Sequence, residues 1–194
     1  MRYRQGWTVA LALIMGLSTG ASPGAASADG SFFQLDLANR GGSFTRLVRR
    51  GPASLTLDLS EFATGSAATL WGSYGVSLGD GAWLPAGPAL RFDNQGRLDA
   101  GLRVGIERYG AGERTSLFLL AEAVTIQREY PVLSEVGHIA SRTSFGVSAQ
   151  GNRAGFRERS PVLGYRLEAR PVTLRAGYRT RARTVVFGVS VNTL

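Results

Sequence analysis

Few side chains in this 194-residue sequence could perform acid–base or nucleophilic catalysis, because it holds one histidine and no cysteine. His138 lies near Ser134 and Glu135, so a serine–histidine–carboxylate hydrolase is the first chemistry to weigh. However, the residue next to His138 is Ile139 and not a serine. On a strand, Ser141 would point to the face opposite that of His138. The sequence therefore favours a solvated loop histidine over a catalytic one.

Metal and cofactor sites need clusters of ligands that this sequence lacks. One histidine without cysteines cannot build a zinc site, and Asp80 with Asp93 or Asp99 has no calcium-loop spacing. The glycine-rich stretch 72–75 lacks the strand–loop–helix context of a phosphate-binding loop. We therefore expect no catalytic residue, no metal and no cofactor.

Glu122 stands alone in an apolar stretch, 114–127, that also contains Phe118, Leu120 and Val124. Such a glutamate could be a tuned acid or base in a lipid-like pocket. More often it pairs with an arginine as a structural contact, and the sequence favours Arg103 or Arg142 as that partner.

The charge balance is basic, with 22 basic against 14 acidic residues and a net charge of +8. All of the basic residues are arginine, which indicates a compositional bias more than a selected binding face. The absence of cysteine removes disulfides from the account, so stability must come from packing and hydrogen bonds.

The N-terminus has the pattern of a secretory signal peptide. Arg2 and Arg4 precede the apolar run 7–17, and small residues follow up to Ala28. The run is too short for a spanning helix, which needs about 20 apolar residues. We expect a signal peptide over 1–28 and one domain over 29–194, exported and therefore not available to nucleic acid.

Downstream, apolar residues recur every second position, which is the period of a β-strand. Clear alternation covers 98–107, 142–150, 163–170, 172–179 and 185–192, and weaker candidates cover 31–37, 43–49, 54–60 and 67–78. Antiparallel pairing of successive strands keeps apolar residues on one face. The expected opposed pairs include Tyr165 with Ala176, Ile106 with Leu117, and Tyr178 with Val185.

These strands predict an all-β fold, an antiparallel up-and-down meander that closes into a barrel of about eight strands, or ten, because closure removes exposed edges. The polar face mixes glycines with opposite charges, as in Gly101, Arg103, Gly105 and Glu107, which suits a narrow lumen better than a solvated sheet. Tyr74, Tyr165 and Tyr178 lie near strand ends on the apolar face, where an interfacial aromatic girdle belongs.

Signal peptide and alternation together resemble a small Gram-negative outer-membrane β-barrel. The resemblance implies an outer-membrane protein with lipid or lipopolysaccharide as neighbour, an envelope protein as a further partner, and a polar lumen plugged by its own side chains. Its role would be structural or one of surface interaction, through loops at 79–97, 128–138 and 150–161. The expected luminal charges are Arg103, Glu107, Glu122, Arg142, Arg166, Glu168 and Arg175, and the expected lipopolysaccharide contacts are Arg153, Arg157 and Arg159.

Two alternatives remain open from the sequence. An outer-membrane lipid-modifying enzyme would use the inward apolar face of 114–127 as a pocket. A soluble periplasmic β-barrel or sandwich, accessory to envelope or polysaccharide export, would instead bury the apolar face as its core.

Overall fold

The computed structural model of this chain describes residues 29–39, 41–62, 65–168 and 170–194, which form one antiparallel β-barrel. The predicted signal peptide at 1–28 lies outside the described residues. Successive strands are neighbours around the barrel, and the last strand pairs with the first to close it. The strands are β1 (Gly30–Ala38), β2 (Gly41–Arg50), β3 (Ala53–Phe62), β4 (Gly65–Gly79), β5 (Ala82–Asp93), β6 (Leu98–Ala111), β7 (Thr115–Val124), β8 (Tyr130–His138), β9 (Thr143–Gly151), β10 (Arg157–Arg166), β11 (Val172–Arg179) and β12 (Thr184–Asn192).

The closed antiparallel meander is confirmed, but the strand number is 12 and the expected eight to ten is wrong. Two strands, β5 and β8, lie in the expected loops 79–97 and 128–138, and β10 begins inside the expected loop 150–161. Proline lacks the N–H that a central strand must donate, so a proline weakens the strand pattern of each of these segments. In β5 the β4–β5 ladder has no pair at Gly87 and Pro88, and the β5–β6 ladder has none at Leu84 and Pro85.

Each expected strand presents the same residues to the same face as expected, but two of the three expected pairing registers are shifted. An even shift keeps each residue on its face, whereas an odd shift would exchange the faces. The β10–β11 register moves by two residues and the β6–β7 register by four, because the strands end in turns at other positions than expected. The observed pairs are Tyr165 with Leu174, Ile106 with Ala121, and Tyr178 with Val185 as expected.

The apolar face of the barrel points outward. Most of the large hydrophobic side chains that are exposed belong to it, including Leu102, Val104 and Ile106 on β6. The residues at the alternate positions of each strand, which include the polar and charged ones, point into the lumen. This arrangement inverts the soluble alternative, in which the apolar face would be the core. The girdle tyrosines Tyr74, Tyr165 and Tyr178 are on the outward face and exposed.

The strand order places both ends of the described chain at one mouth of the barrel. We call this the terminal mouth; the connections β2–β3, β4–β5, β6–β7, β8–β9 and β10–β11 share it. The remaining connections lie at the other end, which we call the distal mouth. Within 29–39, 41–62, 65–168 and 170–194, no helix has the length and hydropathy to cross a membrane.

Candidate functional site

The lumen is identified by ion pairs that join strands far apart around the barrel. Arg49 on β2 is paired with Glu107 on β6, and the shortest route between these strands runs through the interior. The strand registers then assign the same face to every strand, because opposed residues in an antiparallel pair share a face. The charged side chains treated below are luminal by this criterion.

Arg103 is the centre of the luminal contacts. Its guanidinium carbon lies 3.7 Å from the ring centroid of Trp71, and its Nη2 donates to Glu122. Stacking on an indole and pairing with a carboxylate use the two properties in which arginine differs from lysine, a planar face and a directional fork. Glu122 is buried, with 4% of its side chain exposed, so the pair is withdrawn from solvent.

Asp58 extends this cluster onto β3 and β2. It accepts hydrogen bonds of 2.6 Å from the Thr45 hydroxyl and from the Trp71 indole N–H. Trp71 thus donates at its edge to a carboxylate and presents its face to Arg103. Residues of β2, β3, β4, β6 and β7 are connected in one network, which we call the paired-charge cluster together with Arg49 and Glu107.

Arg49 and Glu107 form the part of the cluster closest to the terminal mouth. The Arg49 guanidinium carbon is 5.3 Å from the ring centroid of Trp83. Gly75 on the neighbouring strand β4 has no side chain, and a Cβ there would overlap the Trp83 ring. A glycine at this position is therefore what gives the indole its place inside the barrel.

The connection between β7 and β8 folds into the distal half of the lumen. Ile126 is 5% exposed and packs with Trp71, Ala89 and Val124. The Thr125 N–H donates to the Leu102 carbonyl at 2.9 Å. The apolar inward face expected for 114–127 is therefore real, and Val124 and Ile126 pack against other luminal side chains.

An ion pair between Glu129 and Arg91 fastens this connection to β5, which is two strands along the barrel wall from β7. We call residues 125–129 the inward connection. One ion pair, several backbone hydrogen bonds and the packing of Ile126 hold it in the lumen.

The luminal face of β9–β12 has a different composition, with small residues in most rows. Across β12, Arg175 Nε lies 3.4 Å from Asp36 Oδ1 of β1. Arg179 reaches Ser43 through one long hydrogen bond of 3.4 Å. We call this surface the small-residue wall, and its small side chains are Ser144, Gly146, Ser148, Ser160, Gly164, Thr173, Gly177, Thr184, Gly188 and Ser190.

The seven charges expected in the lumen are divided between two places. Arg103, Glu107, Glu122 and Arg175 are luminal and ion-paired, and Arg166 shares the luminal parity near the terminal mouth. Arg142 instead lies in the β8–β9 turn and pairs at 2.8 Å with Glu168, whose side chain is 76% exposed. Sequence reasoning did not single out five further luminal partners, which are Asp36, Arg49, Asp58, Arg91 and Glu129.

His138 lies at the terminal mouth, with its ring exposed. Its Nδ1 is 2.7 Å from the Ser141 hydroxyl and accepts the Ser141 backbone N–H at 3.2 Å, so the expectation that Ser141 points away is wrong. The two residues close a turn, where strand alternation does not apply. In the described part of the chain, no carboxylate is hydrogen-bonded to either ring nitrogen to orient it as a catalytic base.

Comparisons with known proteins identify the fold. No protein-family model and no curated protein matches the sequence. The solved KdgM porin matches with a TM-score of 0.55 at 10% identity, over 84% of this chain and 97% of that one. The KdgM porin in complex with disordered oligogalacturonate gives 0.55 at 12%, over 84% and 98%. The NanC porin gives 0.51 at 14%, over 84% and 99%.

At these identities the likeness shows the fold alone. The chain has the architecture of outer-membrane porin barrels, as its alternation indicated. The fold, with its apolar face outward, agrees with the outer-membrane location expected from the sequence.

Proposed function

We propose that this protein is an outer-membrane channel that passes small hydrophilic solutes and prefers anions. The observation that carries this proposal is the unequal distribution of side chains in the lumen. The paired-charge cluster and the inward connection occupy the side of β2–β7, whereas the side of β9–β12 has mostly short side chains apart from Arg166, Arg175 and Arg179.

The number of strands makes room for such a path. Strands about 4.8 Å apart and tilted by about 40° give a barrel of 12 strands a backbone radius of about 12 Å, against about 8 Å for eight. Side chains can fill the smaller barrel from wall to wall. The larger one is about 8 Å wider between opposite backbones, so more side-chain volume is needed to fill it.

The charge of the wall supports a preference for anions. Arg166, Arg175 and Arg179 share the luminal parity of β10 and β11, and the last two are about 13 Å apart along the strand. Within the described residues, neither Arg166 nor Arg179 is in an ion pair. The carboxylates on this side are Asp36 beside Arg175, Glu158 at the distal end of β10, and Glu135 on the neighbouring β8.

Glu158 offsets one positive charge at that end, and three backbone N–H groups and a hydroxyl donate to its carboxylate. The guanidinium groups that a solute can reach are those of Arg166, which is exposed, and Arg179, which is half-buried. Carboxylates and phosphates are the ligands that guanidinium groups bind best.

The solutes we propose are therefore small organic anions, among them short acidic saccharides. A barrel of this fold has been solved in complex with oligogalacturonate, a carboxylate-bearing sugar chain. This similarity suggests which solute class to test first; the argument for anions rests on the luminal arginines.

A plugged barrel with a structural or surface-interaction role is the second candidate. The inward connection and the Arg49–Glu107 pair across the lumen favour it, because both take up space that a channel needs. The two candidates make opposite predictions about conductance. A channel gives discrete current steps in a lipid bilayer, and a plugged barrel gives none.

The preference for anions is tested by the reversal potential across a bilayer with a tenfold KCl gradient. We expect chloride to permeate about threefold better than potassium, and Arg166→Gln with Arg179→Gln to bring that ratio close to one. The matched control is Arg46→Gln with Arg108→Gln, two arginines on the outward face. A double luminal variant with an unchanged reversal potential would contradict the role assigned to these arginines.

A further inference from the structure

Five exposed arginines surround two neighbouring turns at the distal mouth. Arg153 belongs to the β9–β10 turn, Arg157 and Arg159 begin β10, and Arg181 and Arg183 belong to the β11–β12 turn. We call these five residues the distal arginine patch. The three that the sequence suggested as lipopolysaccharide contacts are thus joined by two from a turn 25 residues later in the chain.

One carboxylate, Glu158, lies among the five arginines of this patch, so it offsets only one of their positive charges. Glu158 is 5% exposed, and its Oε1 accepts from the backbone N–H groups of Arg159 and Arg181 at 3.1 and 2.8 Å. The Ala182 N–H and the Thr180 hydroxyl also donate to it. Its charge therefore stabilises turn amides. Among the described residues, no patch arginine has a carboxylate within ion-pair distance.

The turns that carry the patch are fastened to each other. The Thr180 N–H donates to the Arg159 carbonyl at 3.0 Å. Arg181 donates from Nη1 to the Gly155 carbonyl at 3.0 Å, and its guanidinium lies 5.2 Å from the Phe156 ring centroid. Like charges are thus held close together on a hydrogen-bonded support, an arrangement that favours an anionic partner.

The position of the patch relative to the apolar belt indicates which kind of anion it binds. Arg157 and Arg159 have the outward parity of β10, and the next outward residues toward the terminal mouth are Pro161 and Leu163. The guanidinium groups therefore lie directly above the apolar belt and outside the lumen. In a membrane this is the level of the lipid headgroups, where arginines bind lipid phosphates.

We propose that the distal arginine patch binds the phosphate groups of a phosphorylated glycolipid in the outer leaflet. A barrel inserted from the periplasm keeps both termini there, so the distal mouth faces the cell exterior. This inference rests on the outer-membrane placement and is independent of conduction. It can hold for a channel and for a plugged barrel.

The test compares lipopolysaccharide with its chemically dephosphorylated form. The protein is purified from membranes in detergent, and its binding to each probe is measured by titration. We expect at least tenfold weaker binding of the dephosphorylated form, and the same loss for a variant with Arg157→Gln, Arg159→Gln and Arg181→Gln. Arg50→Gln, Arg108→Gln and Arg114→Gln, which remove three exposed charges near the terminal mouth, should change binding less than twofold.

Each outcome decides the proposal. Equal binding of both forms by the unchanged protein would overturn it, and so would an equal loss in the two triple variants. Inorganic phosphate that binds the unchanged protein as tightly as lipopolysaccharide does would show that free phosphate is the true ligand and would also overturn it. If the distal triple variant fails to fold, shown by migration on gels that heating does not change, the comparison of the two probes still decides.

Discussion

Arg103 contributes to stability through two groups that both depend on it. It covers the face of Trp71 and pairs with Glu122, whose side chain is almost fully buried. Removing one partner of a buried pair leaves the other charge without compensation, which costs more than the pair itself contributes. This double dependence distinguishes Arg103 from an arginine in an ordinary surface ion pair.

Arg103→Gln should lower the free energy of unfolding by about 2–4 kcal/mol, because Glu122 stays buried without its partner. The measurement is the fraction of folded protein in lipid vesicles against urea, read from heat-dependent migration on gels. Arg142→Gln is the matched control, since its partner Glu168 is exposed, and it should cost less than about 1 kcal/mol. Equal losses in both variants would show that the luminal pair behaves as a solvated one.

The sequence left two candidate partners for Glu122, Arg103 and Arg142. The strand register explains why Arg103 is the partner. Glu122 lies opposite Gly105, which places Arg103 on the same face in the adjacent strand. Arg142 lies in a turn beyond β8 and points to another partner. Contacts such as Arg49 with Glu107 could not be predicted, because they join strands that meet only when a barrel of this circumference closes.

At the scale of elements, the inward connection is the segment that enters the distal lumen. It is tied to β5 by Glu129 and Arg91, to β6 by Thr125, and to the β9–β10 turn by the Arg153 N–H on the Gln127 carbonyl. The sequence placed apolar residues here on the luminal face, but it could not show that the chain turns inward after Val124. That turn depends on positive φ angles at Gln127 and Arg128.

Glu129→Gln should raise the mean conductance by roughly one quarter to one half, because the inward connection loses its ion pair to β5 and leaves the lumen more often. Single-channel recording in planar bilayers measures this, and increased current noise should accompany it. Asp99→Asn is the control, since Asp99 also pairs with an arginine near the distal mouth but not with the inward connection. A decrease in conductance would mean that the connection does not narrow the path.

Strands were predictable wherever alternation was uninterrupted. β6, β9, β11 and β12 follow from their patterns, and β1 to β4 from weaker ones. Prolines concealed β5 and β8, because a proline in a strand is acceptable only where the ladder omits a bond. The parity of each strand held although the registers shifted, since only an even shift keeps apolar residues outside.

At the scale of the whole molecule, the two missed strands change the functional conclusion. A barrel of eight strands is filled by its own side chains, and the plugged lumen expected from the sequence follows from that number. With 12 strands the radius grows by about one half, and the third of the wall formed by β9–β12 is lined mainly by short side chains. The apolar outer face and the architecture shared with porins show a porin-like outer-membrane barrel, and conduction through it is the function we propose.

Conduction through the barrel is tested most directly by the current through the unmodified protein in a planar bilayer in 1 M KCl. Folding is checked first by heat-dependent migration of the same sample on gels. We expect discrete steps on the order of 0.1–1 nS, as for a narrow aqueous path across a bilayer about 30 Å thick. A folded, inserted barrel that gives no steps would contradict the channel and establish that the paired-charge cluster and the inward connection close the lumen.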